Sequence, residues 1–169
     1  MRVILPRWIP LFFLGGAPLA WHRPAQPPSP VLNALTSLRP LVVLAVSVVG
    51  FALGALWFSP LLFVKAWLEE TRLTPEIAKA AGHGRSRMAG AFACTVVSTF
   101  TLAILVAANR TSSPLKGAEL GLLVGAGLVA ARQGVNALFE LRSLRVYLIV
   151  AGHDVALCVM LGAILAAWR

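Results

Sequence analysis

The 24 residues Leu41–Val64 contain no charged side chain, and this run narrows sharply what the chain can fold into. A helix needs roughly 20 predominantly apolar residues to cross the hydrocarbon core of a bilayer. Three further segments meet that condition. Met88–Ala108 is uncharged, Leu120–Phe139 carries one charge, Arg132, and Val146–Trp168 carries one acid, Asp154. The runs are continuous and do not alternate with polar residues, so they read as helices and not as barrel strands.

Composition points the same way. Hydrophobic residues make up 59 % of the 169-residue chain and charged residues 12 %. Soluble domains have about 45–50 % and about 25 %, and this chain has too little polar surface to cover so large a core. The expected fold class is therefore all-α: a polytopic membrane protein, an antiparallel bundle of four transmembrane helices. The spans fall near 41–64, 88–108, 120–139 and 146–168, within a domain of residues 40–169. Short connections favour antiparallel neighbours.

Residues 1–39 differ from the rest. They hold Pro6, Pro10, Pro18, Pro24, Pro27, Pro28 and Pro30, seven of the eleven prolines. Pro10 interrupts the apolar stretch Val3–Ala20, and Arg23–Pro30, RPAQPPSP, suits an extended polyproline-type linker. The expectation is a Pro-rich, poorly ordered extension. A leader and an imperfect extra span are the alternatives, since Arg2 and Arg7 ahead of Ile9–Leu14 outline a signal peptide.

The formal net charge is +9. The bases lie at the breaks between apolar runs and form no basic helix face, so they read as topology signals and headgroup contacts and not as a nucleic-acid surface. Lys65, Arg72, Lys79, Arg85, Arg87, Arg142 and Arg145 occupy the first and third connections, seven in all, against four (Arg39, Arg110, Lys116, Arg169) on the other side. That asymmetry places the first and third connections in the cytoplasm if residues 1–39 are cleaved or form an extra span. It becomes a tie if they hang beside Arg39. Twelve arginines against three lysines suggest a GC-rich bacterial genome, and hence a bacterial inner membrane.

The first connection, Lys65–Arg87, carries helix punctuation. Thr74 can cap, Pro75 suits a first turn and Glu76 complements the helix dipole, with Gly82 and Gly84 as stops. The short helix lies either at headgroup level or in a solvated loop. Cys94 and Cys158 sit inside apolar runs, without the spacing of a metal site or a disulfide framework, and read as small packing residues. No cofactor or metal is expected.

Small residues recur four apart at Gly50 and Gly54, and at Gly117, Gly121 and Gly125. Such spacing lets two helices approach closely. The stripe from Gly117 continues through Leu128, Arg132, Asn136 and Phe139, which turns Arg132 and Asn136 towards another helix. Counted from a turn near residues 142–143, Arg132 and the pair His153–Asp154 lie at similar depth, to within roughly 2 Å at 1.5 Å per residue. A lone charge there costs on the order of 3 kcal/mol on insertion scales.

Two readings of this intramembrane polar cluster follow. Arg132–Asp154 is an internal ion-pair staple with Asn136 and His153 as neighbours, or the four residues line a proton or solute path in which His153 changes charge. A third arrangement has Arg132 snorkelling to the interface. No catalytic signature accompanies them: adjacent helical residues such as His153 and Asp154 point about 100° apart, and no nucleophile elbow is present.

The segments GFALGALWFSPLLFVKAW (Gly50–Trp67), NALFELRSLRVYLIVAGHD (Asn136–Asp154) and MLGAILAAWR (Met160–Arg169) resemble the small bacterial membrane family known as domain of unknown function 1761. The most specific matches are Gly54 through Trp67 and the NALFE box at Asn136–Glu140. Near AGHD the family often has tyrosine or asparagine, so His153 and Asp154 are not a family signature. It implies a four-span integral membrane protein with no assigned activity. In the matched segments Trp57, Lys65, Trp67 and Glu140 read as interfacial anchors, with Ser59–Pro60 loosening the helix end and Glu140 able to meet Arg142 or Lys65.

The sequence thus leads to an integral membrane protein without enzymatic chemistry, a structural or partner-binding component. The alternative is a small transporter or proton pathway using Arg132, Asn136, His153 and Asp154. The lipid bilayer is its first partner, and exposed glycine faces leave room for a homodimer or another membrane partner.

Overall fold

A computed structural model describes residues 29–80 and 84–168. Among these residues the secondary structure is helical throughout, with no strand. Four helical stretches are long and apolar enough to cross a membrane: Pro40–Trp57, Gly84–Ala108, Pro114–Phe139 and Leu144–Ala167.

The leader and extra-span readings fall on residues 1–28, outside the described residues. Residues 23–28 of the expected linker likewise lie outside the described residues. Pro30–Ser37 forms a helix, α1, whose start is capped by the Ser29 hydroxyl accepting from the amide of Leu32 at 3.2 Å. Proline has no amide hydrogen, so at the first helical position it sacrifices nothing. Ala34 is buried, and α1 packs on the second span.

The first span, α2 (Pro40–Trp57), stops well before Val64. Beyond Trp57 the chain is irregular to Phe63, then resumes as α3, Val64–Thr71. Pro60 accounts for the break, because it lacks a donor and its ring clashes with the preceding turn. The freed groups find other partners: the amide of Phe63 donates to the Trp57 carbonyl at 3.1 Å and that of Leu62 to Ser59 at 3.1 Å. The first run is thus a discontinuous helix. Such backbone is tolerated at membrane depth where it is buried in protein or lines a cavity.

After α3, Pro75–Ala80 forms α4, with the Thr74 hydroxyl accepting from the amide of Ile77 at 3.3 Å. Gly82 lies outside the described residues, and Gly84 begins the second span, α5 (Gly84–Ala108), instead of ending α4. The second span starts at Gly84 and not at Met88 because the polar turn GRSR continues its hydrogen bonding.

The third span begins at Pro114 as α6 (Pro114–Leu122). It then widens into π geometry over Leu123–Ala130 and returns to α7, Ala131–Phe139. The fourth span is α8, Leu144–Ala167, started by the Ser143 hydroxyl accepting from the amide of Val146 at 3.2 Å. Its neighbours are the first, second and third spans and α3. Val46, Val106 and Leu161 are each no more than 1 % exposed and anchor the core among the first, second and fourth spans.

The glycine stripe of the third span lies directly on α8. A Cβ added at Gly117 would stand 2.2 Å from the Gly162 carbonyl oxygen, and one at Gly121 would stand 2.1 Å from that of Cys158. At Gly125 it would meet the Cys158 Cβ at 3.0 Å. Residue numbers rise on one helix as they fall on the other, so these two run in opposite directions. Gly50 is held against Leu157 and Leu161 of α8 and Thr95 of α5, with an added Cβ at 3.1 to 3.3 Å from each.

The first and third connections meet at one end. Arg145 reaches Glu70 at 3.5 Å and Glu69 at 3.9 Å, tying α3 to the start of α8. Arg142 and Glu140 pair at 2.5 Å beside them.

Candidate functional site

The fourth span places a carboxylate near its own middle. Asp154 is the eleventh of the 24 residues of α8 and keeps a quarter of its side chain exposed. Its two oxygens have different partners. The Gln133 amide donates to Oδ2, and His153 Nδ1 lies 2.7 Å from Oδ1. Adjacent helical side chains leave the backbone about 100° apart, yet these two curl towards each other far enough to share a proton.

Arg132 takes no part. It is exposed, makes no ion pair among the described residues, and leaves Asp154 to Gln133. The expected Arg132–Asp154 staple is not formed, and the π segment supplies the reason. An α-helix bonds residues four apart, whereas π geometry bonds them five apart. The wider turn holds about one extra residue, so the face that meets α8 shifts phase. It runs through Gly117, Gly121 and Gly125, then Ala130, Gln133 and Ala137, of which Ala130 and Ala137 are buried. Leu128, Arg132, Asn136 and Phe139, the positions predicted by unbroken α periodicity, are all exposed.

Tyr147 crosses this junction. Its hydroxyl donates to the carbonyl of Ala130, the last π residue, at 3.2 Å, and Gly134 makes room for its ring, with an added Cβ 3.3 Å from the hydroxyl oxygen.

His153 sits in an aromatic corner made by the broken first span. Its ring centre is 5.3 Å from that of Phe58 and 5.9 Å from that of Trp57. Gly54 opens the space, since a Cβ there would stand 3.3 Å from His153 Nε2. That nitrogen is buried without a hydrogen-bond partner, as is Oε1 of Gln133. Trp57 also faces the fourth span. It is half-buried, donates from its indole to the Ile149 carbonyl at 3.0 Å, and so clamps the end of the first span to the fourth.

Of the other predicted anchors, Trp67 is half-buried and stacks edge-on against Phe58 at 6.0 Å, Lys65 is exposed, and Glu140 holds Arg142. Asn136 stands apart from Asp154 but lines a cleft of about 220 Å³ between the third and fourth spans. Its lining includes Glu140, Arg142, Tyr147 and Gln133, the partner of Asp154, together with apolar Ala137, Val146 and Val150.

The arrangement can hold a proton in more than one place. A carboxylate near mid-membrane without a fixed cation is costly. A proton on Asp154 removes its charge, and a proton on His153 offsets it across 2.7 Å.

Sequence reasoning missed Gln133, Phe58 and the role of Gly54. The small residues at Ala130, Gly134 and Ala137 carried the signal for Gln133: they follow Gly125 at a spacing of five, then four, then three. Among the described residues no cluster of three or more His, Cys, Asp or Glu side chains is placed to hold a metal ion. Cys94 is exposed and Cys158 half-buried, both as free thiols.

Residues 41–166 match a protein family described as a protein of unknown function, DUF1761. The chain belongs to that family. The match spans all four apolar helices and includes Gly54, Trp57, Phe58, Gln133, His153 and Asp154. As a DUF1761 member the chain is an integral membrane protein by its helices, and the family description assigns no activity. No match is found among curated proteins or among solved structures.

Proposed function

We propose that the protein is a small multi-pass component of a bacterial inner membrane that takes up and releases a proton at Asp154 and His153. It would act as a proton pathway or a proton-coupled small transporter. One observation carries this reading: Asp154 is held by Gln133 and His153, not by Arg132. An arginine staple would fix the carboxylate as an anion and leave nothing to titrate. A neutral amide and an imidazole leave the carboxylate without a fixed cation. The cleft lined by Gln133 and Glu140 supplies a route, and the broken first span beside His153 resembles the discontinuous helices that line binding sites in transporters.

A non-catalytic structural or partner-binding role is the second reading, favoured by the close backbone contact between the third and fourth spans. Neither reading involves catalysis. In both, the first and third connections face the cytoplasm, where the lysines and arginines are more numerous.

The readings separate in proteoliposomes. With an imposed pH difference and a trapped pH-sensitive dye, the native chain should dissipate the gradient, and Asp154→Asn should abolish that flux while leaving the protein folded. Equal gradient decay in native and variant vesicles, with lower yield and stability of the variant, would favour the structural role.

A further inference from the structure

Resting on the proton-binding reading, we infer that the third span has two registers and that Arg132 is the alternate partner of Asp154. Gln133 holds the carboxylate when a proton is present, and Arg132 replaces it when the proton leaves.

The π segment makes the exchange geometrically simple. Gly117, Gly121 and Gly125 are locked onto α8 by backbone contact, so the N-terminal half of the span is fixed. If Leu123–Ala130 tightened to α geometry, the turn would hold about one residue fewer and α7 would rotate by about 100°. Counting seven residues from Gly125 at about 100° each brings Arg132 to within about 20° of the glycine face. Asn136 follows it and Ala137 turns outward. The present exposure of Arg132, Asn136 and Phe139, beside the burial of Ala137, is the imprint of the π register alone.

Two contacts hold the present register, and both are replaceable. One is the Tyr147 hydroxyl on the Ala130 carbonyl. The other is the Gln133–Asp154 hydrogen bond, from an amide whose Oε1 is left buried and unpartnered. The charge logic sets the direction. Around Asp154 stand His153 and Cys158 on its own helix and Gln133 on the third span. Trp57, Phe58 and Gly54 surround His153, and the second span meets the first at Thr95 against Gly50 and Phe92 against Phe51. Among these described groups His153 is the cation-forming one. Once the shared proton departs to water in the cleft, past Tyr147 and Glu140, the anion has no cation, and Arg132, next to Gln133 in sequence, is the fixed cation that a one-residue shift of α7 would bring to it. Its guanidinium, exposed on the span, would gain a carboxylate partner in the same movement.

The test uses the full-length chain in liposomes, in a Cys94→Ala, Cys158→Ala background, with one reporter thiol at Ala137→Cys or Phe139→Cys. The π register buries position 137 and exposes 139, and the α register reverses this. Each rate is corrected for the thiolate fraction of its own cysteine, because a buried thiol ionises at higher pH than an exposed one, and the ratio of the corrected rates at 137 and 139 is followed. From about pH 5 to about pH 9 that ratio should rise about tenfold, the signature of a 1.4 kcal/mol shift in population. It should stay flat in Asp154→Asn. It should also stay flat in a chain lacking Ala126, because removing one exposed residue of the π segment keeps Gln133 on Asp154 in an all-α span. The infrared carbonyl band of protonated Asp154, assigned by its loss in Asp154→Asn, is followed in parallel. A band that titrates while the ratio stays flat overturns the register exchange and leaves the proton-binding reading intact. A band that does not titrate overturns both. A ratio that rises equally in Asp154→Asn overturns the coupling to Asp154.

Discussion

A methyl group on Gly121 would stand 2.1 Å from the carbonyl oxygen of Cys158, closer than any non-bonded contact allows. The third and fourth spans are therefore in backbone contact, and the third span owes its place mainly to this seam. Gly121→Ala should separate the helices at a cost of about 2 kcal/mol or more, in the range of overpacked cores. Gly90→Ala, where an added Cβ meets nothing within 4 Å, should be neutral or stabilising by up to about 1 kcal/mol. Thermal unfolding of the two variants in detergent micelles checks the contrast.

The indole of Trp57 joins the end of the first span to the Ile149 carbonyl at 3.0 Å. Trp57→Phe would keep an aromatic ring against Phe63, whose centre is 4.7 Å away, and remove the donor together with the part of the indole that lies against Gly152. The expected loss is at least about 1 kcal/mol, the part typical of a single hydrogen bond between membrane helices. Chemical denaturation of the reconstituted variant measures it.

The third span ends with Leu141 in the left-handed region at φ 54°, while the amide of Arg142 reaches back to the Ala137 carbonyl at 2.9 Å. This is a glycine-type helix stop occupied by leucine. The left-handed conformation costs a non-glycine residue roughly 1–2 kcal/mol, and Leu141 is 90 % exposed, so its side chain contributes little packing. Leu141→Gly should therefore stabilise the fold by up to about 1 kcal/mol, measured as a raised Tm.

At the start of α4 the Thr74 hydroxyl holds the Glu76 carboxyl below the usual carboxylate range, with the Glu76 backbone amide as the second cause. Because the folded value is the lower one, the support this interaction gives α4 is present above the unfolded value and is lost as pH falls through the folded one. Thr74→Ala should move the Glu76 titration upward, visible as a shifted carboxyl resonance in an NMR pH series. An unmoved titration would show that Thr74 is not its partner.

Much of this architecture was legible in the chain because it follows from local physics. Runs without charge, such as Leu41–Val64, have to become helices in lipid, and glycines four apart at Gly117, Gly121 and Gly125 have to mark a close approach. Ser59–Pro60 signalled a weak point, but not that the first helix would stop at Trp57 and leave its broken end against His153, since that depends on aromatic packing between distant segments. The polar centre was misplaced by one residue. Periodicity arguments assume a constant number of residues per turn, and the π segment between Gly125 and Ala131 violates that assumption where Arg132 and Gln133 compete for the same face. The energy that selects the wider turn lies in contacts with α8, such as Tyr147 on Ala130, which no local pattern encodes.

The most direct measurement compares Gln133→Leu with Arg132→Leu by equilibrium unfolding of the purified protein in one detergent at about pH 5, where the proton is bound. Gln133 reaches the Asp154 carboxylate and Arg132 is exposed on the span. Gln133→Leu should therefore cost about 2 kcal/mol, the loss of a hydrogen bond to a charged group, and Arg132→Leu should change stability by no more than about 0.5 kcal/mol. A large loss in Arg132→Leu with a stable Gln133→Leu would contradict the account and restore the arginine staple.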